Sequence, residues 1–224
     1  MCGRFTLTVD TSRLQQSFPD LDIPEGIQPR YNISPSQPVA VVPNDGKNRL
    51  DYFVWGLIPS WAKDPSIGNR LINARAETLM EKPSFRTAFR RRRCLVLADG
   101  FYEWHQEPGK RGKTPMLIRM EDGSPFAFAG LWELWNSPDG SQVLSTTIIT
   151  TQPNSLVANI HNRMPVILPR AAHSLWLEPS EVDPAGLVGL LDSYPAEEMM
   201  AYPVSTLVND PKNEVPDCVL PLAD

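Results

Sequence analysis

No stretch of this 224-residue chain approaches the roughly 18 uninterrupted apolar residues that mark a membrane-spanning helix. Its start lacks the pattern of a signal peptide, because Arg4 and Asp10 bracket only a short apolar run. Together these absences predict a soluble cytoplasmic protein with no membrane partner. Cysteine is scarce: Cys2, Cys94 and Cys218 form an odd, widely spaced set. There is no Cys-x-x-Cys and no Cys/His cluster, so no structural zinc is expected. The three histidines, His105, His161 and His173, are scattered. Neither a Walker loop nor a dinucleotide glycine fingerprint occurs, so no nucleotide cofactor is expected, nor any other cofactor. Net positive charge is also lacking. The formal net charge is −5, which at first sight argues against a nucleic-acid partner.

The charge is unevenly spread, however. Residues 70–93 carry eight basic and two acidic side chains, a net of +6, whereas residues 114–224 carry four basic and fourteen acidic ones, a net of −10. Binding responds to the local field rather than the total. The run Arg90 to Arg93 has a plainer reading as a solvated turn before a strand.

The hydrophobic share of 42% is that of an ordinary globular core, and the length suits one domain over residues 1–224. Phe5, Leu7 and Val9 alternate with polar residues and predict a first strand. Asp10 or Thr11 can cap a short helix whose Leu14 and Phe18 share a face. Residues 39–42 and 50–55 predict two strands joined through Asn44-Asp45-Gly46. Further strands are expected at 94–98, 101–105, 116–120, 126–131 and 143–150, and helices at 154–160, 170–177 and 184–194. The 23 prolines keep every element short. The expected fold class is α+β: a curled, mainly antiparallel sheet or open β-barrel flanked by short helices.

Cys2 stands out chemically. Once Met1 is removed, Cys2 carries an amine and a thiol on adjacent carbons. An aldehyde can form a Schiff base with the amine, and the thiol can then close a thiazolidine. Alternatively the thiol attacks a carbonyl with the amine as its base. An α-amine of pKa about 7.7–8 keeps roughly a tenth of its population as free base at pH 7.

Four other segments carry polar groups of interest. In Asn73-Ala74-Arg75-Ala76-Glu77-Thr78, an extended backbone puts Asn73, Arg75 and Glu77 on one side of a groove. The other reading is a helix start with Glu77 in its first turn. In Phe101-Tyr102-Glu103-Trp104, alternation puts Glu103 opposite two aromatics. It is either a desolvated acid/base carboxylate or an exposed strand glutamate. His161, between a short helix and the apolar run 166–168, is either a proton donor and acceptor or a structural histidine. Trp61 lies in a Gly/Pro loop, where an exposed ring can stack on an unpaired base, while Trp55 reads as core. Cys94 opens an apolar strand and reads as an inert buried thiol.

Taken together, MCGRF, RYNISPSQ, WGLIPSWAKD, NARAET, CLVLADGFYEW, IHNRMPVIL and YPVSTLVNDPKNEVPDC resemble the SOS response-associated peptidase (SRAP) family, also called abasic site processing proteins, or HMCES in animals. They run in family order from residue 1 to about 218. The resemblance implies an enzyme that crosslinks itself to abasic sites in single-stranded DNA, especially at junctions with duplex. It further implies a soluble, nucleoid-associated protein with access to the replication machinery, and self-removal of Met1. By position it implies catalytic roles for Cys2, Asn73, Glu103 and His161, phosphate contacts by Arg4 and Arg75, and groove or junction contacts by Asn32, Pro35 and Trp61. Some relatives place a second aromatic after Trp61, where this chain has Ala62. Two other classes compete: an N-terminal-nucleophile amidotransferase, whose glutamine-binding motifs are missing, and a non-enzymatic single-strand binder, which has no need of Cys2.

Overall fold

Apolar runs of four to eight residues, cut by prolines and glycines, are long enough for strands and too short for long helices. The computed structural model describes residues 2–107, 109 and 111–222. In chain order its strands are β1 (Phe5–Leu7), β2 (Arg30–Ile33), β3 (Pro38–Pro43), β4 (Asp51–Trp55), β5 (Asn73–Arg75), β6 (Arg93–Ala98), β7 (Gly100–His105), β8 (Thr114–Met120), β9 (Phe126–Asn136), β10 (Gln142–Thr151), β11 (Met164–Pro165), β12 (Ile167–Leu168) and β13 (Met199–Pro203). The α-helices α1 (Thr11–Ser17), α2 (Arg86–Arg91), α3 (His173–Trp176) and α4 (Ala185–Val188) are short. The fold is α+β, as expected. Among the described residues no helix is long and apolar enough to cross a membrane.

One sheet has the antiparallel order β13-β8-β7-β1-β2. The other closes on itself. Its order β10-β4-β3-β6-β9 is completed by pairing of β9 with β10, and this ring is the barrel anticipated from the alternating pattern. Along β10, both β4 and β5 pair in parallel, with Ile148 opposite Asn73 and Thr150 opposite Arg75. Phe5 joins the two sheets: from β1 its ring meets Trp55 at 5.1 Å and Phe128 at 5.7 Å between centroids. Truncating such a buried phenylalanine costs about 3–5 kcal/mol.

Local chemistry explains the elements. Asp10 caps α1 by accepting from the Arg13 N–H at 2.8 Å. The 39–42 and 50–55 runs form the β3/β4 pair, connected through residues 44–50 with Gly46 at φ +81°. Gly56 and Gly68 approach so closely that a Cβ on either would meet the other's carbonyl oxygen at 2.7 Å. That contact seats the loop bearing Trp61 against the end of β4.

Three expected helices are shorter than the sequence suggests. Asn154 does cap, accepting from Val157 N–H at 2.9 Å, but only a 3-10 turn, Val157–Asn159, follows. The 170–177 stretch divides into a 3-10 turn and α3. Helix α4 stops at Gly189, where a second glycine after Gly186 removes helical propensity.

The basic run is divided: Arg90 and Arg91 end α2 exposed to solvent, as a solvated reading expects, whereas Arg92 and Arg93 turn inward. Arg93 is fully buried, and its guanidinium donates to the carbonyls of Trp176, Phe89, Arg90, Glu178 and Ser180. Arg92 pairs with Glu133 and Arg91 with Glu181, both at 2.8 Å. Arg91, Arg92 and Arg93 are thus engaged within the fold, while Arg70, Arg75, Lys82, Arg86 and Arg90 stay exposed.

A candidate active site around Cys2

The antiparallel pairing of β1 with β7 continues beyond the end of β1, where Tyr102 N–H donates to the Arg4 carbonyl at 2.9 Å. This carries the chain start alongside Glu103. Cys2 is fully buried, with its thiol 3.7 Å from the Arg4 carbonyl. Burial, and secondarily the Glu103 charge, pushes the Cys2 thiol far above its ordinary range, so it rests protonated. Across from it, Asn73 Nδ2 donates to the Cys2 carbonyl at 2.7 Å. Asn73 is held from behind by the pairing of β5 with β10. Its Oδ1 is buried and has no hydrogen-bond partner among the described residues. An acceptor aimed into a dry site suits a reacting N–H or hydroxyl. Met1 itself, on which the expected exposure of the amine depends, lies outside the described residues.

Glu103, on β7, is 3% exposed. Burial raises its carboxyl to about 7, with the positive charges of the chain-terminal amine and, less, of Lys113 pulling in the opposite direction. At neutral pH such a group both holds and releases a proton. His161 faces it, with Nε2 4.0 Å from Glu103 Oε2, a separation beyond direct hydrogen bonding. The Arg163 N–H donates to His161 Nδ1 at 3.1 Å. The same nitrogen lies 3.3 Å from the Arg163 carbonyl, so the Arg163 backbone engages Nδ1 while Nε2 faces Glu103. Burial also lowers the histidine's pKa, favouring the neutral ring.

The 73–78 strip combines both of its sequence readings. The extended backbone ends at Arg75, and Ala76–Thr78 forms a 3-10 turn. Arg75 stays exposed, while Glu77 turns to Arg163 in a two-point ion pair, at 2.6 Å to Nη1 and 3.0 Å to Nη2. That hydrogen bonding holds the Glu77 carboxyl below the usual range. Arg163 escaped the sequence reading, although it sits two residues after His161 in the same motif.

The remaining expected contacts divide by exposure. Trp61 is 59% exposed and Pro35 is half-buried. Asn32 is fully buried, and its Nδ2 donates to the carbonyls of Val208, Asp210 and Asn213. Half-buried Arg4 donates to Asn32 Oδ1 and the Val208 carbonyl, each at 2.6 Å, and lies 5.9 Å over the Trp104 ring. The structure thus engages Arg4 and Asn32 in a clamp on the C-terminal segment, with Arg4 still partly exposed. Cys94 is buried against Thr146, its thiol pushed up to about 12 by burial.

Similarity to known proteins bears on this site. The profile of the SOS response associated peptidase (SRAP) family matches residues 1–211. Abasic site processing protein YoqW of Bacillus subtilis is 50% identical over 222 residues, covering 98% of this chain and 99% of that protein. Abasic site processing protein HMCES of Gallus gallus is 34% identical over 266 residues, covering 99% of this chain and 78% of that one. A crystal structure of a Bacteroides thetaiotaomicron protein superposes with a TM-score of 0.87 at 26% identity, covering 99% of this chain and all of the other.

Proposed function

The chain belongs to the SOS response associated peptidase (SRAP) family, and from that membership and the surroundings of Cys2 we propose that it processes abasic sites in DNA by covalent capture through Cys2. The observation that carries the reading is the Asn73 amide fixed on the Cys2 carbonyl at 2.7 Å, next to a buried carboxyl poised near neutrality.

In this scheme Met1 is removed first, and the Cys2 amine becomes free. The ring-opened abasic sugar presents an aldehyde at C1. The amine nitrogen attacks C1, and the resulting carbinolamine loses water to give an imine. The Cys2 S–H then adds across the C=N bond: sulfur bonds to C1, and the proton ends on nitrogen. One water leaves overall, nothing is oxidised or reduced, and the product is a thiazolidine. Glu103 takes a proton from the ammonium and returns one to the departing hydroxyl. His161, through Nε2, relays protons to the sugar oxygen during ring opening. Asn73 orients the Cys2 backbone and accepts from the nitrogen. Trp61 offers a stacking platform for an unpaired base, which favours single-stranded DNA.

The glutamine-binding motifs that an amidotransferase requires are missing from the sequence, which weighs against that reading.

The test is incubation with uracil-containing single-stranded DNA pretreated with uracil glycosylase. A heat-stable adduct is expected from the native protein and none of that linkage from Cys2→Ala. An undiminished, identical adduct from Cys2→Ala would eliminate the linkage.

A further inference from the structure

We propose that Glu77 and Arg163 form a positioning pair, whose task is to hold the His161 ring with Nδ1 engaged and Nε2 turned to Glu103. Its catalytic consequence rests on the function proposed above, while its structural content does not.

The Arg163 side chain is anchored at three points. Two are the Glu77 carboxylate oxygens, and the third is the Thr150 carbonyl, to which Nη2 donates at 2.6 Å. Arg163 is 7% exposed, which shields its own end of these bonds, while the Glu77 carboxylate stays open to solvent. Thr150 belongs to β10, the same strand that holds β5 through the pairing of Ile148 with Asn73. Glu77 lies in the turn that leaves β5. The ion pair therefore ties the segment carrying Asn73 and the segment carrying His161 to one strand. With its side chain fixed at three points, the Arg163 backbone cannot swing. Its N–H is the group that engages His161 Nδ1 at 3.1 Å. The planar guanidinium suits this role because it binds a carboxylate and a carbonyl at once, which an ammonium cannot do with the same geometry.

Because Glu77 would act through His161, its effect should vanish when the histidine is gone. The experiment is a cycle of Glu77→Gln, His161→Ala and the double variant, each read for the crosslinking rate at saturating abasic single-stranded DNA. The same proteins are read for affinity toward DNA bearing a tetrahydrofuran abasic analogue. Glu77→Gln should slow the rate about tenfold and leave affinity within about twofold. Added to His161→Ala, it should slow the rate no further. Arg163→Lys should behave like Glu77→Gln, and the exchange Glu77→Arg with Arg163→Glu should recover part of the rate.

A readout without DNA separates this proposal from the crosslinking scheme. In Glu77→Gln the His161 ring nitrogens, followed by NMR, should lose the hydrogen-bonded signature of Nδ1, which in the native protein lies 3.1 Å from the Arg163 N–H. Removal of a negative charge alone would leave that signature in place. Rate losses that multiply with His161→Ala, a loss of affinity in place of rate, or an unchanged Nδ1 signature would each overturn the positioning role. Absence of any Cys2-dependent adduct in the native protein would instead overturn the function and leave the NMR arm standing.

Discussion

Replacing Glu103 by glutamine should stabilise the protein in alkali while slowing its chemistry, and the size of the effect follows from burial. The carboxyl is 3% exposed and titrates near 7, against an ordinary 4.5. A tenfold change in proton affinity is worth about 1.4 kcal/mol, so the ionised form costs the fold about 3 kcal/mol. The folded-state pKa is raised. The favourable contribution is therefore complete below pH 4.5, declines as pH rises, and is lost once pH passes about 7. Of the groups facing Glu103, the Cys2 thiol is held protonated by burial, and burial favours the neutral His161 ring. The chain-terminal amine, whose charge opposes the shift of Glu103, titrates near the upper end of this window but is present in both proteins, so their difference reports the carboxyl. Glutamine keeps the shape and removes the titration, and any fixed cost of the amide is the same at every pH. Measured by urea unfolding, the variant should gain about 2 kcal/mol on the native protein between pH 5 and pH 8. By thermal melting the same gain is roughly 4–8 °C for a chain of this size. A difference between the two proteins that stays flat within about 0.5 kcal/mol across this range would refute the claim that Glu103 is buried with a raised pKa.

Asn32→Ala should destabilise the fold by about 2–3 kcal/mol in urea, because it strands buried carbonyls and the Arg4 guanidinium. Normal stability with a selective loss of DNA affinity would return Asn32 to the DNA-contacting set. Arg75→Ala, at an exposed position, should leave stability within about 0.5 kcal/mol and lower the slope of log affinity against log salt by about 1. An unchanged slope would place Arg75 off the phosphates.

The parts of the fold written in local chemistry were legible in the sequence. The Asp10 cap, the turn at Gly46 and the alternating strands β6 to β10 each depend on residues within a few positions of one another. The parallel seating of β4 and β5 on β10 was not legible, because strand partners far apart leave no periodic mark. Arg93 shows the same limit from another side. A run of four arginines reads as solvated, and only the fold brings the carbonyls of Trp176, Glu178 and Ser180 around one of them. At the site, residue chemistry singled out Cys2 and left Glu103 and His161 open between functional and structural readings. Family resemblance named Cys2, Asn73, Glu103 and His161 together. Neither route pointed to the Glu77–Arg163 pair, since a glutamate and an arginine 86 positions apart carry no sign of being partners. The resemblance also assigned Arg4 and Asn32 to DNA, whereas burial and hydrogen bonding tie both to residues 208–213.

The central claim is that a freed Cys2 captures the abasic aldehyde with both its nitrogen and its sulfur, and intact-mass analysis tests it most directly. The free protein should lack the mass of Met1. After reaction, protein and abasic oligonucleotide should sum to their combined mass less one water, with the modification on the N-terminal peptide. A DNA-bound product that still carries Met1, or one mapped to a lysine or to another cysteine, would contradict the account.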